Sequence, residues 1–309
     1  MKEKIEFEQV IERGCGLDVH KENVTATITG RGIKQQTREF STYTRSLISL
    51  RDWLLKNGIT HVAMESTGVY WKPVYNVLGE HFKIILVNAR HVKNVPGRKT
   101  DQLDSQWLAK LLMAGLLKAS FIPGRKIREL KDMVRYKTKL TNQISSEKNR
   151  FIKIMEDANI KLSSVLTDVF CVTGRKIISE IVESDYEPDK LLHYVHGRVK
   201  KDRSEIREAI TGYVTNHHRF MMQTILESIE KIEGTIAKLD AQIAEQTEEY
   251  GLEIELLETI PGVGHDGAIG IISEIGVDMS AFASEKSIAK WAGMCPGNNE
   301  TGGKKKVAE

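Results

Sequence analysis

Four acidic residues fall where an α/β sheet gathers its functional groups. Asp18 lies within an apolar run that predicts the first strand, and Glu65 ends a later strand-like run. Asp101 and Asp104 open a predicted helix, and their i, i+3 spacing puts both carboxylates on one helix face. Strand ends and helix N-termini are where such sheets collect ligand-binding and catalytic groups. The pattern predicts one acidic site.

Carboxylates gathered in this way would repel one another unless cations neutralised them. Their oxygens are the ligands that Mg²⁺ and Mn²⁺ favour, and both ions complete their shells with water and substrate phosphate. Two such ions about 4 Å apart can activate a nucleophile and stabilise the leaving oxygen in phosphodiester cleavage. The alternative is structural, since Asp101 or Asp104 could simply cap the helix. The predicted Mg²⁺ (or Mn²⁺) ligands and catalytic residues are Asp18, Glu65, Asp101 and Asp104.

The histidines and cysteines give weaker evidence for a functional site than the four carboxylates do. His20 and His91 lie near the predicted site, but the nine histidines form no paired metal-ligand pattern. The three cysteines, Cys15, Cys171 and Cys295, are far apart and form no C-x-x-C pair. We therefore expect reduced thiols, with neither a zinc site nor a disulfide framework.

Alternating strand-like and helix-like runs must position the carboxylates. GCGLDVHKENVTATITG predicts a strand continuing into a hairpin, and 37–42, 61–64 and 83–87 predict further strands. Helical spacing of apolar residues marks 46–56, 69–78 and 103–117. This alternation predicts a layered α/β catalytic domain over residues 1–124.

A helical region is predicted over residues 125–250. Helix formers dominate from Lys126 to about Asp157, a less regular stretch covers 160–201, and a second long helix runs from about Ser204 to Tyr250. Two long helices suggest an antiparallel coiled-coil arm or a dimerisation element. The predicted seam, with alternating steps of four and three, is Ile225, Ile229, Ile232, Ile236, Leu239 and Ile243.

Residues 251–309 predict a small, mostly α C-terminal domain. Gly262 and Gly264 lie in a turn between two apolar, helical-looking runs, as in a helix-hairpin-helix. Backbone N–H groups there could hold a DNA phosphate without reading sequence. The alternative is a glycine turn between packed helices.

Positive charge is concentrated locally, although the net charge is only +3. Residues 121–153 hold ten Lys/Arg against three Asp/Glu, whereas residues 201–250 hold six against ten. The excess predicts a nucleic-acid-binding helix, with a solvated helix face as the alternative. The predicted nucleic-acid-binding residues are Arg125, Lys126, Arg128, Lys131, Arg135, Lys139, Gly262, Gly264, Lys304 and Lys305.

The composition is that of a globular protein: 309 residues, 40% hydrophobic and 28% charged. No run approaches the roughly 20 apolar residues that span a bilayer, and the charged N-terminus lacks a signal-peptide core. We expect a cytoplasmic protein with no membrane contact.

Three segments resemble a known family. GLDVHKENVTATI, MESTGVYWKPVYNVL and LVNARHVKNVPGRKTDQLDSQWLAKLL resemble the N-terminal DEDD domain of IS110 and IS1111 insertion-sequence transposases, which is similar to the RuvC resolvase. IPGVGHDGAIGIISEIG and FASEKSIAKWAGMCPGNNETGGKKK resemble the family's C-terminal transposase domain. The resemblance spans essentially the whole chain.

This resemblance implies an RNase H-like (RuvC-like) first domain whose DEDD carboxylates bind Mg²⁺ and cleave and rejoin DNA. It also implies a coiled-coil arm, a homo-oligomer (dimer or tetramer), and a structured guide RNA encoded by the element, which would give the basic helix a backbone to contact. The family has a serine nucleophile after P-G-N-N-E, and here that position is Thr301. Its methyl group hinders attack, and the chain ends sooner than expected, so we expect a truncated or decayed copy.

Three alternatives remain open. The same carboxylates would serve a structure-selective junction nuclease without guide RNA. Thr301 and the short C-terminus fit a non-catalytic nucleic-acid-binding remnant. GLDVHKENV also resembles the first phosphate loop of actin-like ATPases, but the second Asp-x-Gly loop and the Gly-Gly adenosine motif are not found.

Overall fold

The computed structural model describes residues 11–66, 68–88, 104–183, 185–195 and 201–294, and the backbone of 300–301 and 304–305. The chain forms two compact units, Met1–Ile122 and Pro123–Glu309. The predicted helical region and C-terminal domain both fall in the second unit, and their separation into two domains stays a prediction.

A five-stranded mixed sheet forms the centre of the first unit, in the order β3-β2-β1-β4-β5. β1 pairs antiparallel with β2, and β2 with β3, whereas β1, β4 and β5 are parallel. All the strands predicted from sequence are present. Their bounds are β1 Arg13–Val19, β2 Asn23–Gly30, β3 Ile33–Ser41, β4 His61–Glu65 and β5 Lys83–Val87.

Helices cover both faces of this sheet. α1 (Thr44–Lys56) and α2 (Trp71–Leu78) bury their apolar residues on the face that carries Leu17 and Met64. α3 (Asp104–Met113) packs on the opposite face, against Ala63 among others. Strand side chains alternate between the faces, so the residues next to Leu17 and Met64 in sequence point toward α3.

Gly16 is the position where α3 lies closest to the sheet. A Cβ added there would be 2.1 Å from the carbonyl oxygen of Ser105 and 2.4 Å from the backbone nitrogen of Ala109. The buried hydroxyls of Thr27 and Ser105 bond across the same contact at 2.8 Å. Only glycine lets the helix backbone lie this close to β1, so this residue sets the height of α3 above the strand.

Two long helices form the frame of the second unit. α4 (Arg125–Asp157) and α9 (Asn216–Thr247) pack along each other. Lys126, near the start of α4, pairs with Glu249 beyond the end of α9, and Asp157 at the end of α4 pairs with His218 at the start of α9. The helices are therefore antiparallel. The coiled-coil arm remains a prediction. Four of the six predicted seam residues are buried, namely Ile225, Ile229, Ile232 and Ile243.

Short helices fill the region between the long ones. They are α5 (Leu162–Val165), α6 (Val172–Glu183), α7 (Pro188–Leu191), a 3-10 turn at Leu192–Tyr194 and α8 (Arg203–Ile210). Their apolar residues share one core with the ends of α4 and α9. The sequence-based expectation of a less regular stretch was therefore wrong for residues 172–183.

The predicted continuous helix from Ser204 to Tyr250 was also wrong, because the chain leaves the helix after Ile210. A Cβ at Gly212 would be 2.4 Å from the Ala158 carbonyl, and that carbonyl accepts the N–H of Tyr213 at 2.8 Å. The hydroxyl of Thr215 then accepts the N–H of His218 and begins α9. Contacts with a distant turn thus override the helical pattern.

Three short helices follow α9, namely α10 (Gly251–Glu258), α11 (His265–Ile275) and α12 (Glu285–Trp291), with 3-10 turns at Glu248–Tyr250 and Met279–Ala281. Apolar residues of α10 and α11 pack against the start of α4. A two-stranded ribbon follows, β6 (Glu300–Thr301) and β7 (Lys304–Lys305). Within the described residues, every helix is too short or too polar to cross a bilayer.

Candidate active site

Asp18 and Glu65 lie side by side at the carboxyl ends of neighbouring parallel strands. The register pairs Gly16 with Ala63 and Leu17 with Met64, so the next residues along are Asp18 and Glu65. Strands in a sheet are about 4.8 Å apart, and residues in register point to the same face. Two carboxylates 47 positions apart in the sequence are therefore neighbours.

Asp104 joins these carboxylates on the same face of the sheet. It is the first residue of α3, which packs over Gly16 and Ala63. Asp18 and Glu65 follow those two residues by two positions and so share their face. All three carboxylate residues are half-buried. The backbone thus places Asp18, Glu65 and Asp104 at one end of the same sheet face, and their binding of a common metal ion stays a prediction.

The fourth predicted ligand, Asp101, lies outside the described residues, as does His91. In the described part of the chain, no three His, Cys, Asp or Glu side chains form a group that could hold a metal ion. The donor chemistry itself fits a hard divalent cation, because Asp18, Glu65 and Asp104 offer carboxylate oxygens only. Asp104 also lies at a helix N-terminus, where a negative charge is favourable.

The side chain of Asp18 contacts His20. Nε2 of His20 lies 3.1 Å from Oδ2 of Asp18, and the side chains are 64% and 28% exposed, respectively. The backbone N–H of His20 donates to the carbonyl of Asn23 at 2.9 Å and so closes the β1–β2 hairpin. The ring is held beside the carboxylate by the turn. Sequence reasoning placed His20 near the site but did not identify this contact.

Cys15 supports the strand from the opposite face. It is fully buried, and burial raises the pKa of its thiol well above the ordinary range. Cys171 is half-buried, and both cysteines are free thiols. The expectation of reduced thiols therefore fits the described part of the chain, and Cys295 lies outside it.

Four of the six basic residues of α4 that are predicted to bind nucleic acid make ion pairs within the second unit. Lys131 and Arg135 both contact Glu274 of α11, at 2.6 and 2.8 Å. Burial raises the pKa of Glu274, but the hydrogen bonds from Arg135 and Lys131 outweigh it and bring the pKa below its usual value. Lys126 bonds Glu249 at 2.8 Å, and that hydrogen bond raises the lysine pKa.

The remaining basic residues of this helix differ in exposure. Arg125 pairs with Glu129 at 2.8 Å within α4, and Arg128 is half-buried. Lys139 is exposed and makes no ion pair with any described residue. Part of the basic excess therefore holds α4 to its neighbours, and Lys139 presents its charge to solvent.

The turn between α10 and α11 is exposed. Gly262 has a φ of 90°, which L side chains rarely adopt, and Gly264 caps α11 in an extended conformation. No described atom lies within 4 Å of a Cβ built at either glycine. The turn is braced by His265, whose Nδ1 lies 2.9 Å from Oε1 of Glu258. The backbone there is open to a ligand.

The other predicted residues lie in the C-terminal ribbon. Thr301 pairs with Lys304, and Glu300 with Lys305, in backbone register. Their side chains lie outside the described part of the structure.

Comparison with known proteins gives two family matches. Residues 15–160 match a family of DEDD transposases of the IS110 type, and residues 254–309 match the family described as "Transposase IS116/IS110/IS902 family". The first match contains all four predicted carboxylates, and the second contains Thr301.

Two curated relatives match along nearly the whole chain. They are the pilin gene-inverting proteins of Moraxella lacunata and Moraxella bovis. Each is 23% identical over 300 residues, which cover 93% of this chain and 73% of the relative.

Proposed function

Since this chain belongs to the IS116/IS110/IS902 family of transposases, we propose that it cleaves and rejoins DNA strands at the carboxylates of its first unit. The observation that carries the proposal is the register of β1 and β4, which makes Asp18 and Glu65 neighbours. Asp104 begins the helix on the same face. The sheet order β3-β2-β1-β4-β5, with three antiparallel strands before two parallel ones, supports an RNase H-like, RuvC-like fold.

Asp18, Glu65, Asp101 and Asp104 would hold Mg²⁺ or Mn²⁺, which would neutralise the carboxylates, bind the scissile phosphate and activate the attacking oxygen. The chain's own part is positional. The strand ends fix Asp18 and Glu65, and the close packing at Gly16 fixes the height of Asp104 above them. His20, beside Asp18, can hold a proton at Nε2 next to the site.

The names of the relatives support rejoining as well as cleavage, because inversion of a gene requires both. We propose that the reaction here is likewise recombination, directed by a structured RNA of the element and carried out by a homo-oligomer. The exposed face around Lys139 and the open turn at Gly262 and Gly264 would contact DNA or RNA backbone, as would Lys304 and Lys305.

Thr301 stands at the position where the family has a serine nucleophile. Its hydroxyl would attack a DNA phosphorus and form a phosphothreonine ester, while the bond from phosphorus to one deoxyribose oxygen breaks and that oxygen leaves as a hydroxyl after taking up a proton. The extra methyl group of threonine hinders the approach to phosphorus. We expect Thr301→Ser to increase the yield of covalent protein–DNA adduct, measured by denaturing gel electrophoresis with labelled DNA, and Thr301→Val to abolish it.

The carboxylates are tested by substitution. Asp18→Asn and Asp104→Asn should abolish Mg²⁺-dependent cleavage of a labelled DNA while leaving DNA binding unchanged in a gel-shift assay. Glu80→Gln is the matched control, because Glu80 is an exposed carboxylate of the same unit just after α2, away from the carboxyl ends of the strands. Cleavage that persists in both aspartate variants excludes the metal mechanism.

The guide RNA is tested separately from the chemistry. Protein treated with ribonuclease should lose recombination of a defined target and regain it when the RNA from the element is added back. Protein that still recombines the target after this treatment would instead be a junction nuclease or recombinase that reads DNA structure directly.

A further inference from the structure

Two tyrosines lie at the same sheet edge as the candidate site. β3 runs in the same direction as β1, and Tyr43 follows its carboxyl end. The backbone N–H of Thr42 donates to the carbonyl of Glu22 in the β1–β2 hairpin at 3.1 Å. Tyr70 follows the carboxyl end of β4, five residues after Glu65.

Both side chains are open to solvent. Tyr43 is 80% exposed and Tyr70 is 42% exposed, and Val69 beside Tyr70 is 62% exposed. Within the described residues, neither tyrosine has a hydrogen-bond or aromatic partner for its side chain. Aromatic surface left uncovered beside a functional site is a candidate for contact with a ligand.

The backbone holds each tyrosine firmly. The carbonyl of Tyr43 accepts the N–H groups of Ser46 and Leu47 at 2.9 and 3.0 Å, at the start of α1. Tyr70 precedes α2, and the left-handed turn at Gly68, with φ of 58°, lies against its ring. Because α1 and α2 are anchored in the core, the two rings are mounted on rigid supports.

Tyr43 and Tyr70 follow the carboxyl ends of β3 and β4, at the same end of the sheet as the carboxylates. In the sheet order, β3 lies on one side of β1 and β4 on the other. β3 and β4 are three strand spacings apart, roughly 14 Å. Stacked bases in a duplex are separated by only about 3.4 Å, so two neighbouring bases cannot lie at the ends of both strands while they stay stacked on each other.

We propose that Tyr43 and Tyr70 stack on unpaired bases of the DNA strand that passes over the carboxylate end of the sheet. This inference rests on the proposed function of the same site. A phenol ring suits a base because stacking needs only a π face and tolerates any sequence. Lys21, exposed in the hairpin between the two positions, supplies a cation for the intervening backbone.

The test uses the full chain and a forked DNA with 2-aminopurine in its unpaired segment, in buffer without divalent metal. Binding should quench the fluorescence of the wild-type complex. Tyr43→Ala and Tyr70→Ala should each weaken the affinity about 10-fold and reduce the quenching, because stacking on an aromatic side chain contributes about that much per base. Tyr43→Phe and Tyr70→Phe keep the ring and should keep both signals.

Tyr213→Ala is the matched control, because Tyr213 is also 80% exposed but belongs to the second unit. The proposal is overturned if the wild type gives no quenching, if both alanine variants of the edge tyrosines match it, or if they weaken binding of a fully paired duplex equally. Cleavage assays keep the two proposals apart. A protein without metal-dependent cleavage that still shows tyrosine-dependent quenching refutes only the proposed function.

Discussion

Gly16→Ala should be among the most damaging single changes in the first unit. The added Cβ would be 2.1 Å from the Ser105 carbonyl and 2.4 Å from the Ala109 nitrogen, both backbone atoms that cannot rotate away. Ordinary contact requires at least about 3.4 Å, so α3 must rise by roughly 1 Å. Overpacking of this kind costs about 1–3 kcal/mol, and two backbone clashes point to the upper end.

The consequence for activity should be comparable to the consequence for stability. Asp104 begins the helix that has to move, so a shift of about 1 Å separates it from Asp18, and misplacement on that scale can cost about 100-fold in rate. Urea unfolding followed by circular dichroism measures the loss of stability, and Mg²⁺-dependent cleavage measures the loss of activity.

A glycine in open space provides the control for this change. Gly234 lies inside α9 with no described atom within 4 Å of an added Cβ, so Gly234→Ala should raise stability by about 1 kcal/mol. If Gly16→Ala changed the free energy of unfolding by less than about 0.5 kcal/mol and left cleavage intact, the proposed role of the close contact would be refuted.

Four further predictions concern other parts of the molecule. Thr215→Ala removes the cap of α9 and should cost about 1 kcal/mol in thermal or urea unfolding, whereas Thr215→Ser should be nearly neutral. The pKa of Glu274 is lowered in the folded state, so its contribution to stability is present above the ordinary carboxyl pKa and is lost as pH falls through the folded value. The difference in unfolding free energy between wild type and Glu274→Gln should therefore shrink below about pH 4.5. Cys15 should resist iodoacetamide until urea is added, as read by peptide mass spectrometry, because burial keeps its thiol protonated and inaccessible. Lys139→Gln should lower DNA affinity and reduce its salt dependence by about one unit of slope without changing stability, whereas Lys131→Gln should mainly lower stability, and the reverse pattern would exclude a DNA-facing role for Lys139.

Local sequence patterns were sufficient to predict the elements of the first unit. Alternation and short apolar runs located all five strands, and the helical spacing of apolar residues located the three helices. To predict that Asp18 and Glu65 are neighbours, the parallel pairing of β1 with β4 must also be known. Register depends on contacts between distant segments, so the sequence predicted which strands carry the carboxylates but not the pairing that makes them neighbours.

The second unit was harder to predict because long-range contacts decide its breaks. Apolar periodicity continues through 204–250, yet the carbonyl of Ala158 takes the N–H of Tyr213 and the helix stops. Nothing within the interrupted segment signals this contact except Gly212, and a single glycine is also tolerated inside helices. The helix Val172–Glu183 was missed because its apolar residues pack into a core that distant segments complete, among them the ends of α4 and α9.

The ion pairs of the basic helix α4 also depend on distant segments of the chain. The basic excess of α4 was counted along one helix, whereas its acidic partners Glu249 and Glu274 lie more than a hundred residues further along the chain. The exposed Lys126–Glu249 pair contributes little energy, whereas the half-buried Lys131–Glu274 pair also stabilises the packing of α11 on α4. A polyanion approaching α4 must therefore either use the cations left over, such as Lys139, or compete with these carboxylates. Competition for Lys131 and Arg135 would loosen the contact between α11 and α4. Strong binding at these two residues would therefore be coupled to movement of the turn at Gly262, whereas binding at Lys139 would leave the second unit unchanged.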